Sequence, residues 1–176
     1  MELKMNTEIY CGNKTDDVKI IKDYWSKRAY SYSQQNRTEL ECYKHNVWRN
    51  IILNNSPKKD VLKVLDIGCG PGEFSIIMAE EGHDVTGVDI TEEMLQQASE
   101  NARNYNVKLN LKCMDVHNLE FEDNTFDLII SRNVTWNLKN PDQFFKECQR
   151  VLKEDGRVIY FDANWYTFIY DEESRL

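Results

Sequence analysis

Residues 64–75 read Val-Leu-Asp-Ile-Gly-Cys-Gly-Pro-Gly-Glu-Phe-Ser. An apolar run ends in Asp66, glycines alternate with other residues at Gly68, Gly70 and Gly72, and an amphipathic pattern begins. Glycine tolerates positive φ and lets backbone approach a ligand closely. A strand that turns through such a loop into a helix aims free amides and the positive helix end at whatever binds there. The spacing therefore predicts a strand, a ligand-binding glycine turn and a helix, with the remaining chain arranged around them.

The rest of the C-terminal two-thirds repeats the alternation. Strands are predicted over 61–66, 84–90, 108–114, 126–131 and 157–162. The fourth is nearly all apolar, as at the centre of a parallel sheet. Between them fall helical patterns: 72–81 with Phe74, Ile77 and Met78 inward and Gly82 as its stop; one from Thr91-Glu92-Glu93 carrying Met94, Leu95, Ala98 and Ala102; and one from Asn140 with Pro141 at its first position, carrying Phe144, Phe145, Cys148, Val151 and Leu152. Asp155-Gly156 reads as the turn into the fifth strand. Parallel neighbours need crossover connections, so this is an α/β doubly wound sheet.

Upstream, Thr15 is expected to cap a helix bearing Val18, Ile21, Trp25, Ala29 and Tyr32, and Thr38-Glu39-Leu40-Glu41 has the form of a capping box for a second helix ended by Asn54 to Pro57. Residues 1–56 are expected to form a tail, or small lid, and a helical cap; residues 57–176 form the core.

Bulk properties narrow the partners. A net charge of −8 argues against a nucleic-acid backbone. No apolar run approaches a membrane span, and Met1 to Asn13 lacks a signal-peptide core, so a cytoplasmic protein without a membrane partner is expected. Cys11, Cys42, Cys69, Cys113 and Cys148 are scattered and lack a C-x-x-C pair, and His45, His83 and His117 show no ligand spacing. Neither a disulfide framework nor a metal site is expected.

The glycine count selects among nucleotide-type ligands. The dinucleotide fingerprint G-x-G-x-x-G would need glycine where Glu73 or Ser75 stands, and Glu73 at the helix start repels a phosphate. A nicotinamide-dependent oxidoreductase is thus the weaker reading.

The spacing D-x-G-x-G-x-G resembles motif I of the class I S-adenosylmethionine-dependent methyltransferases. The resemblance implies that Gly68, Cys69, Gly70 and Gly72 wrap the methionine and ribose part of S-adenosyl-L-methionine, while Asp66 steadies the loop and helps receive the amino group. Asp89, at the end of the second strand, would take the ribose hydroxyls, with Ile90 and Met94 beside it. Asp115 would receive the adenine amino group and the Val116 amide would read the ring. Phe126-Asp127-Leu128-Ile129-Ile130 fits the F-D-x-I/V pattern ahead of motif IV, the segment that faces the methyl group. Arg132 there is expected to touch the cofactor. Asn133, Trp136 and His117 are candidates for the substrate side, although Trp136 reads equally well as core. The Asn/Asp-Pro-Pro-Tyr/Phe signature for flat amino groups is absent from this segment.

Trp25-Ser26-Lys27-Arg28-Ala29-Tyr30-Ser31-Tyr32 is similar to the aromatic-x-x-x-Ala-x-x-Tyr segment of the quinone-biosynthesis-like methyltransferases, in which the tyrosine covers the cofactor. The family implies a Rossmann-like, mostly parallel sheet of order 3-2-1-4-5. Only 13 residues follow Ala163, so strands 6 and 7 are expected to be missing and the strand-5 edge to be open, inviting a homodimer. The implied activity is methyl transfer from S-adenosyl-L-methionine to a small-molecule acceptor, with S-adenosyl-L-homocysteine as product. The alternative is a non-catalytic S-adenosylmethionine-binding or interaction module.

Overall fold

The computed structural model describes residues 14–163. Two helices, α1 (Lys14–Leu40) and α2 (Tyr43–Asn55), precede β1 (Lys63–Ile67), α3 (Glu73–Glu80), β2 (Asp84–Asp89), α4 (Glu92–Asn104), β3 (Asn110–Cys113), β4 (Phe126–Arg132), α5 (Pro141–Val151) and β5 (Leu152–Phe161). The strands form one parallel sheet of order β3-β2-β1-β4-β5. That is the doubly wound, Rossmann-like order implied by the resemblance.

The sheet is central because β1 and β4 are apolar on both faces. Val64, Leu65, Ile67, Leu128, Ile129 and Ile130 are wholly buried. Each contributes on the order of 1.5–3 kcal/mol of burial free energy. In register, Leu65 lies beside Ile129 and Asp66 beside Ile130 on one side and Gly87 on the other. One core layer gathers Ile52, Leu62, Ile76 and Met78; the opposite layer gathers Phe126, Phe144, Cys148 and Val151.

At the amino edge of the sheet, Asp127 is the anchor. Its Oδ1 accepts from Lys59 Nζ at 2.8 Å and Lys153 Nζ at 2.9 Å, and its Oδ2 accepts from the Lys63 amide at 2.9 Å. Burial opposes the charge, but these donors outweigh it and hold the carboxyl at about 2.

The N-terminal helices differ from expectation. α1 continues through Leu40, so Thr38-Glu39-Leu40-Glu41 starts no helix. Thr38 Oγ1 donates to the Gln34 carbonyl at 3.1 Å, a bond available only inside a helix, and the Glu39 carboxylate is engaged elsewhere. α2 begins after a short break at Tyr43. Asn101 Nδ2 in α4 donates to Ser33 Oγ at 3.1 Å and to the Pro71 carbonyl at 2.9 Å, which ties α1 to the turn before α3. Trp48 of α2 meets Phe74 and Phe161 with ring centroids 5.4 and 5.2 Å away.

β5 also begins earlier than expected. Leu152 already pairs with Phe126, and the register then jumps so that Leu128 faces Arg157. Asp155-Gly156 thus lies in a bulge, Lys153–Gly156, inside the strand. The expected tail at Met1 to Asn13, the Thr15 side chain and the stretch after Ala163 lie outside the described residues. Among the described residues no helix is long and apolar enough to cross a membrane.

Candidate functional site

The carboxyl ends of β1, β2, β3 and β4 meet at a cavity roofed by α1. Its floor is the glycine turn. Gly68, Gly70 and Gly72 have φ of +67°, +51° and +88°. The Cys69 amide donates to the Val88 carbonyl and the Gly72 amide to the Cys69 carbonyl, both at 2.9 Å, so the turn is fastened to β2. A Cβ at Gly68 would stand 2.3 Å from Val134 Cγ2. Gly72 is the N-cap of α3.

Two acids beside this floor brace it. Asp66 is 2% exposed, and its Oδ2 accepts from Ser75 Oγ at 2.6 Å. Burial pushes its carboxyl up to about 7, with the serine bond opposing. Asp89 Oδ2 accepts the Gly70 amide at 3.0 Å and Oδ1 accepts the Thr91 amide at 2.9 Å. Burial raises this carboxyl too, against those amides. Burial likewise lifts the Cys69 thiol well above its ordinary range.

The third acid is arranged differently. Asp115 Oδ1 receives the His117 amide at 2.9 Å and lies 2.7 Å from His117 Nδ1. Gln143 Nε2 donates to the His117 carbonyl at 3.3 Å, so the loop after β3 is pinned to α5.

Above the floor, Tyr32 Cε1 lies 3.7 Å from where a Gly70 Cβ would be, and its ring tilts against Trp25 at 5.4 Å. Toward β4, Arg132 stands between two carboxylates: Nη1 donates to Glu73 at 2.6 Å and Nη2 to Glu39 at 2.8 Å. Its guanidinium also lies over Trp48 and Phe74, 4.9 and 5.4 Å from the ring centroids. Burial drives Glu73 up to about 8 although Arg132 opposes it. Burial also disfavours the Glu39 charge, but bonds from Arg132 and Lys44 prevail and keep it below its ordinary value. One cation thus serves two carboxylates in a largely aromatic setting.

Most residues singled out from the sequence converge here. Tyr32, Asp66, Gly68, Cys69 and Gly70 line the cavity, as do Asp89, Ile90 and Met94, and so do Asp115, Val116, His117, Arg132 and Asn133. Gly72 does not line it and acts in the turn beneath. Trp136 is neither core nor cavity wall: it is 43% exposed, its Nε1 donates to the Asn133 carbonyl at 2.9 Å, and its amide donates to Asp162.

Sequence reasoning missed Asn36, Glu39 and Glu73, together with the apolar lining from Val18, Ile21, Val134 and Leu138. A signal existed for the two glutamates. An arginine at the end of a nearly all-apolar, buried strand needs buried counter-charges, and Glu73 is the acid directly after the glycine turn. The sequence sets it against an incoming phosphate; in the fold its partner is the arginine. Asn36 and the α1 apolar lining carried no such signal, since their facing depends on how α1 lies across the sheet.

Comparison with known proteins agrees with this geometry. The model of a methyltransferase domain matches residues 65–160, more than half of the chain. A ubiquinone biosynthesis O-methyltransferase of Coxiella burnetii is 29% identical over 109 residues, covering 61% of this chain and 47% of the relative. A demethylmenaquinone methyltransferase of Staphylococcus aureus is 34% identical over 127 residues, covering 68% and 51%. Among solved structures, a Methanococcus maripaludis chain assigned as an S-adenosyl-L-methionine-dependent methyltransferase superposes with a TM-score of 0.70 at 28% identity, over 77% of this chain and 62% of that one. A Haemonchus contortus phosphoethanolamine N-methyltransferase 2, solved with S-adenosylhomocysteine, gives 0.60 at 32% identity, over 65% and 27%. The chain spans about half the length of the curated relatives it matches.

Proposed function

Because this chain belongs to the methyltransferase domain family, of the class I S-adenosylmethionine-dependent type, we propose that it holds S-adenosyl-L-methionine in the cavity over its glycine turn and directs methyl transfer to a small-molecule acceptor. The observation that carries this is the convergence of Asp66, Asp89 and Asp115, from the ends of three neighbouring strands, around a turn whose first glycine leaves no room for a Cβ. Acid-lined, glycine-floored space suits a ligand with an ammonium and a sulfonium and disfavours one with a pyrophosphate.

In this reading the Gly68–Gly70 turn and Asp66 hold the methionine end. Asp89 and Ile90 meet the ribose; each Asp89 oxygen already accepts one amide and has a second lone pair to offer. Asp115 and Val116 bound the adenine, Met94 packs beside it, and Tyr32 covers the cofactor. The bound cofactor supplies a methyl group on an activated leaving group. The chain's own contribution is then chiefly to orient the acceptor, a role we give to the end of β4, with Arg132 and Asn133. The α1–α2 segment serves as the cap over the core that follows it, since Trp25, Tyr32 and Asn36 of α1 line the cavity.

The quinone-type relatives support a small aromatic acceptor. The acid-rich cavity and the net charge of −8 support a partner other than nucleic acid, and the scattered cysteines, free at Cys42, Cys69, Cys113 and Cys148, support a cytoplasmic setting. A homodimer would pair at β5, the last strand of the described sheet. Incubation with methyl-labelled S-adenosyl-L-methionine and a panel of hydroxylated aromatic and quinol acceptors tests the activity. Label in an acceptor supports methyl transfer. Cofactor binding with no labelled acceptor supports the binding-module reading.

A further inference from the structure

Asn36 ends the face of α1 that looks onto the cavity. Val18, Ile21, Trp25, Tyr32 and Asn36 share one side of the helix, and all of them line the cavity. Asn36 is only 4% exposed, yet among the described residues its side-chain amide makes no hydrogen bond. Glu73 Oε1 and Trp48 Nε1 also lack partners, but they are sealed within protein; neither atom of the Asn36 amide is. A carboxamide carries two donors and an acceptor, and leaving them unmatched away from bulk water costs stability. The helix is nevertheless held on both sides of this residue. Ser33 Oγ accepts from Asn101 Nδ2 at 3.1 Å, and the Glu39 carboxylate accepts from Arg132 at 2.8 Å and from Lys44 at 3.1 Å. The amide is thus fixed in place and unused by the fold, as a preorganised binding group is.

We infer that Asn36 is a specificity-determining residue whose amide hydrogen-bonds an uncharged hydroxyl or carbonyl oxygen of the methyl acceptor. The assignment rests on the function proposed above and deepens it. Tyr32, one turn earlier on the same face, lies against Gly70 of the glycine floor. Glu39, three residues later, meets Arg132 at the end of β4. Asn36 therefore stands between the cofactor floor and the strand end given to the acceptor. Phe74, Val134 and Leu138 add apolar lining, and in such a setting one matched polar group decides orientation and identity. The neutral character follows from the neighbours. Arg132 already serves Glu39 and Glu73, so a carboxylate or phosphate here would bring a third anion to a shared cation. The amide instead matches a carbonyl through Nδ2, or a hydroxyl through either atom, with no charge to balance.

The test uses equilibrium dialysis on the full chain saturated with S-adenosylhomocysteine, with naphthalene, 1-naphthol, 1,4-naphthoquinone and 1-naphthoate as probes. Wild type is expected to bind 1-naphthol or 1,4-naphthoquinone about tenfold more tightly than naphthalene, the worth of one hydrogen bond, and 1-naphthoate no more tightly than naphthalene. Asn36→Leu, close in volume, is expected to lose that oxygen-dependent advantage, and Asn36→Gln to keep part of it. Two further readouts on Asn36→Leu need no acceptor. Its affinity for S-adenosylhomocysteine should equal that of wild type, and the urea midpoint of the ligand-free chain should rise, because an unmatched amide has been removed. An undiminished advantage in Asn36→Leu, or no probe bound better for its oxygen by wild type, overturns the assignment. A lowered urea midpoint overturns it by giving the amide to the fold, and weakened S-adenosylhomocysteine binding overturns it by giving the amide to the cofactor. All four outcomes leave the cofactor reading intact. Failure of wild type to bind S-adenosylhomocysteine overturns both.

Discussion

Asp89 Oδ2 accepts the Gly70 amide at 3.0 Å, so the acid that closes β2 holds the turn that follows β1. The glycine turn is therefore not preorganised by its own glycines alone. Positive φ at Gly68, Gly70 and Gly72 makes the path available, and the neighbouring strand selects it through Asp89 and through the Val88 carbonyl, which accepts the Cys69 amide. Floor and acid wall are one hydrogen-bonded unit, which ties the stability of the site to its shape.

That coupling makes Gly68 the least replaceable residue of the turn. In Gly68→Ala a residue with a Cβ would be held at φ +67° with the new carbon 2.3 Å from Val134 Cγ2. Strain of this kind costs on the order of 1–3 kcal/mol before the clash is counted. Urea unfolding is expected to show a loss of at least that size together with lost S-adenosylhomocysteine binding. Wild-type stability in the variant would mean that the turn is not shaped as described.

Arg132 is expected to resist even conservative replacement. Lysine cannot donate to Glu73 and Glu39 from two nitrogens while stacking on Trp48 and Phe74. Arg132→Met leaves Glu73 buried with no cation and Glu39 with Lys44 alone, a loss of about 3–5 kcal/mol. Because Glu73 takes up its proton near 8, the loss should be larger at pH 9 than at pH 6. Equal losses at the two pH values would contradict the shared-cation arrangement.

The stability of the ligand-free chain should peak on the acid side of neutrality. Asp66 and Glu73 bind protons more tightly folded, at about 7 and about 8, than their ordinary 3.8 and 4.5. Their contribution is complete below about pH 4 and disappears as pH rises through 7 and 8. Asp127 works oppositely: held at about 2 against 3.8, it contributes above about pH 4 and loses that contribution as pH falls through 2. Denaturant titrations from pH 3 to 9 are expected to show stability a few kcal/mol lower at pH 9 than at pH 5, and Asp66→Asn with Glu73→Gln should flatten that decline. A curve that rises toward pH 9 would contradict the burial of these two carboxyls.

How much was legible in the sequence follows from which interactions are local. The D-x-G-x-G-x-G run, Asp89 and Asp115 could be placed because strand periodicity puts each at a strand end, and a parallel sheet brings strand ends together whatever the side chains do. The start of α2 and of β5 could not be placed. Thr38 made a bond inside α1 that competes with capping, and the Lys153–Gly156 bulge depends on pairing with β4, a partner remote in sequence. The same distance hid Glu39: only the folded chain brings α1 against the end of β4, 93 residues away. A lone tryptophan carries no period, so the sequence leaves Trp136 open between core and cavity wall; its indole bonds the Asn133 carbonyl at the surface.

In the proposed function, Asp89 and the glycine turn form one half of an S-adenosylmethionine site. Calorimetric titration of S-adenosylhomocysteine and of NAD into wild type and Asp89→Ala, with circular dichroism to confirm that both are folded, tests it most directly. One S-adenosylhomocysteine per wild-type chain is expected, with no measurable NAD binding and a loss of roughly 10- to 100-fold in the variant, the worth of one or two strong hydrogen bonds. Unchanged S-adenosylhomocysteine affinity in folded Asp89→Ala, or tight NAD binding by wild type, would contradict it.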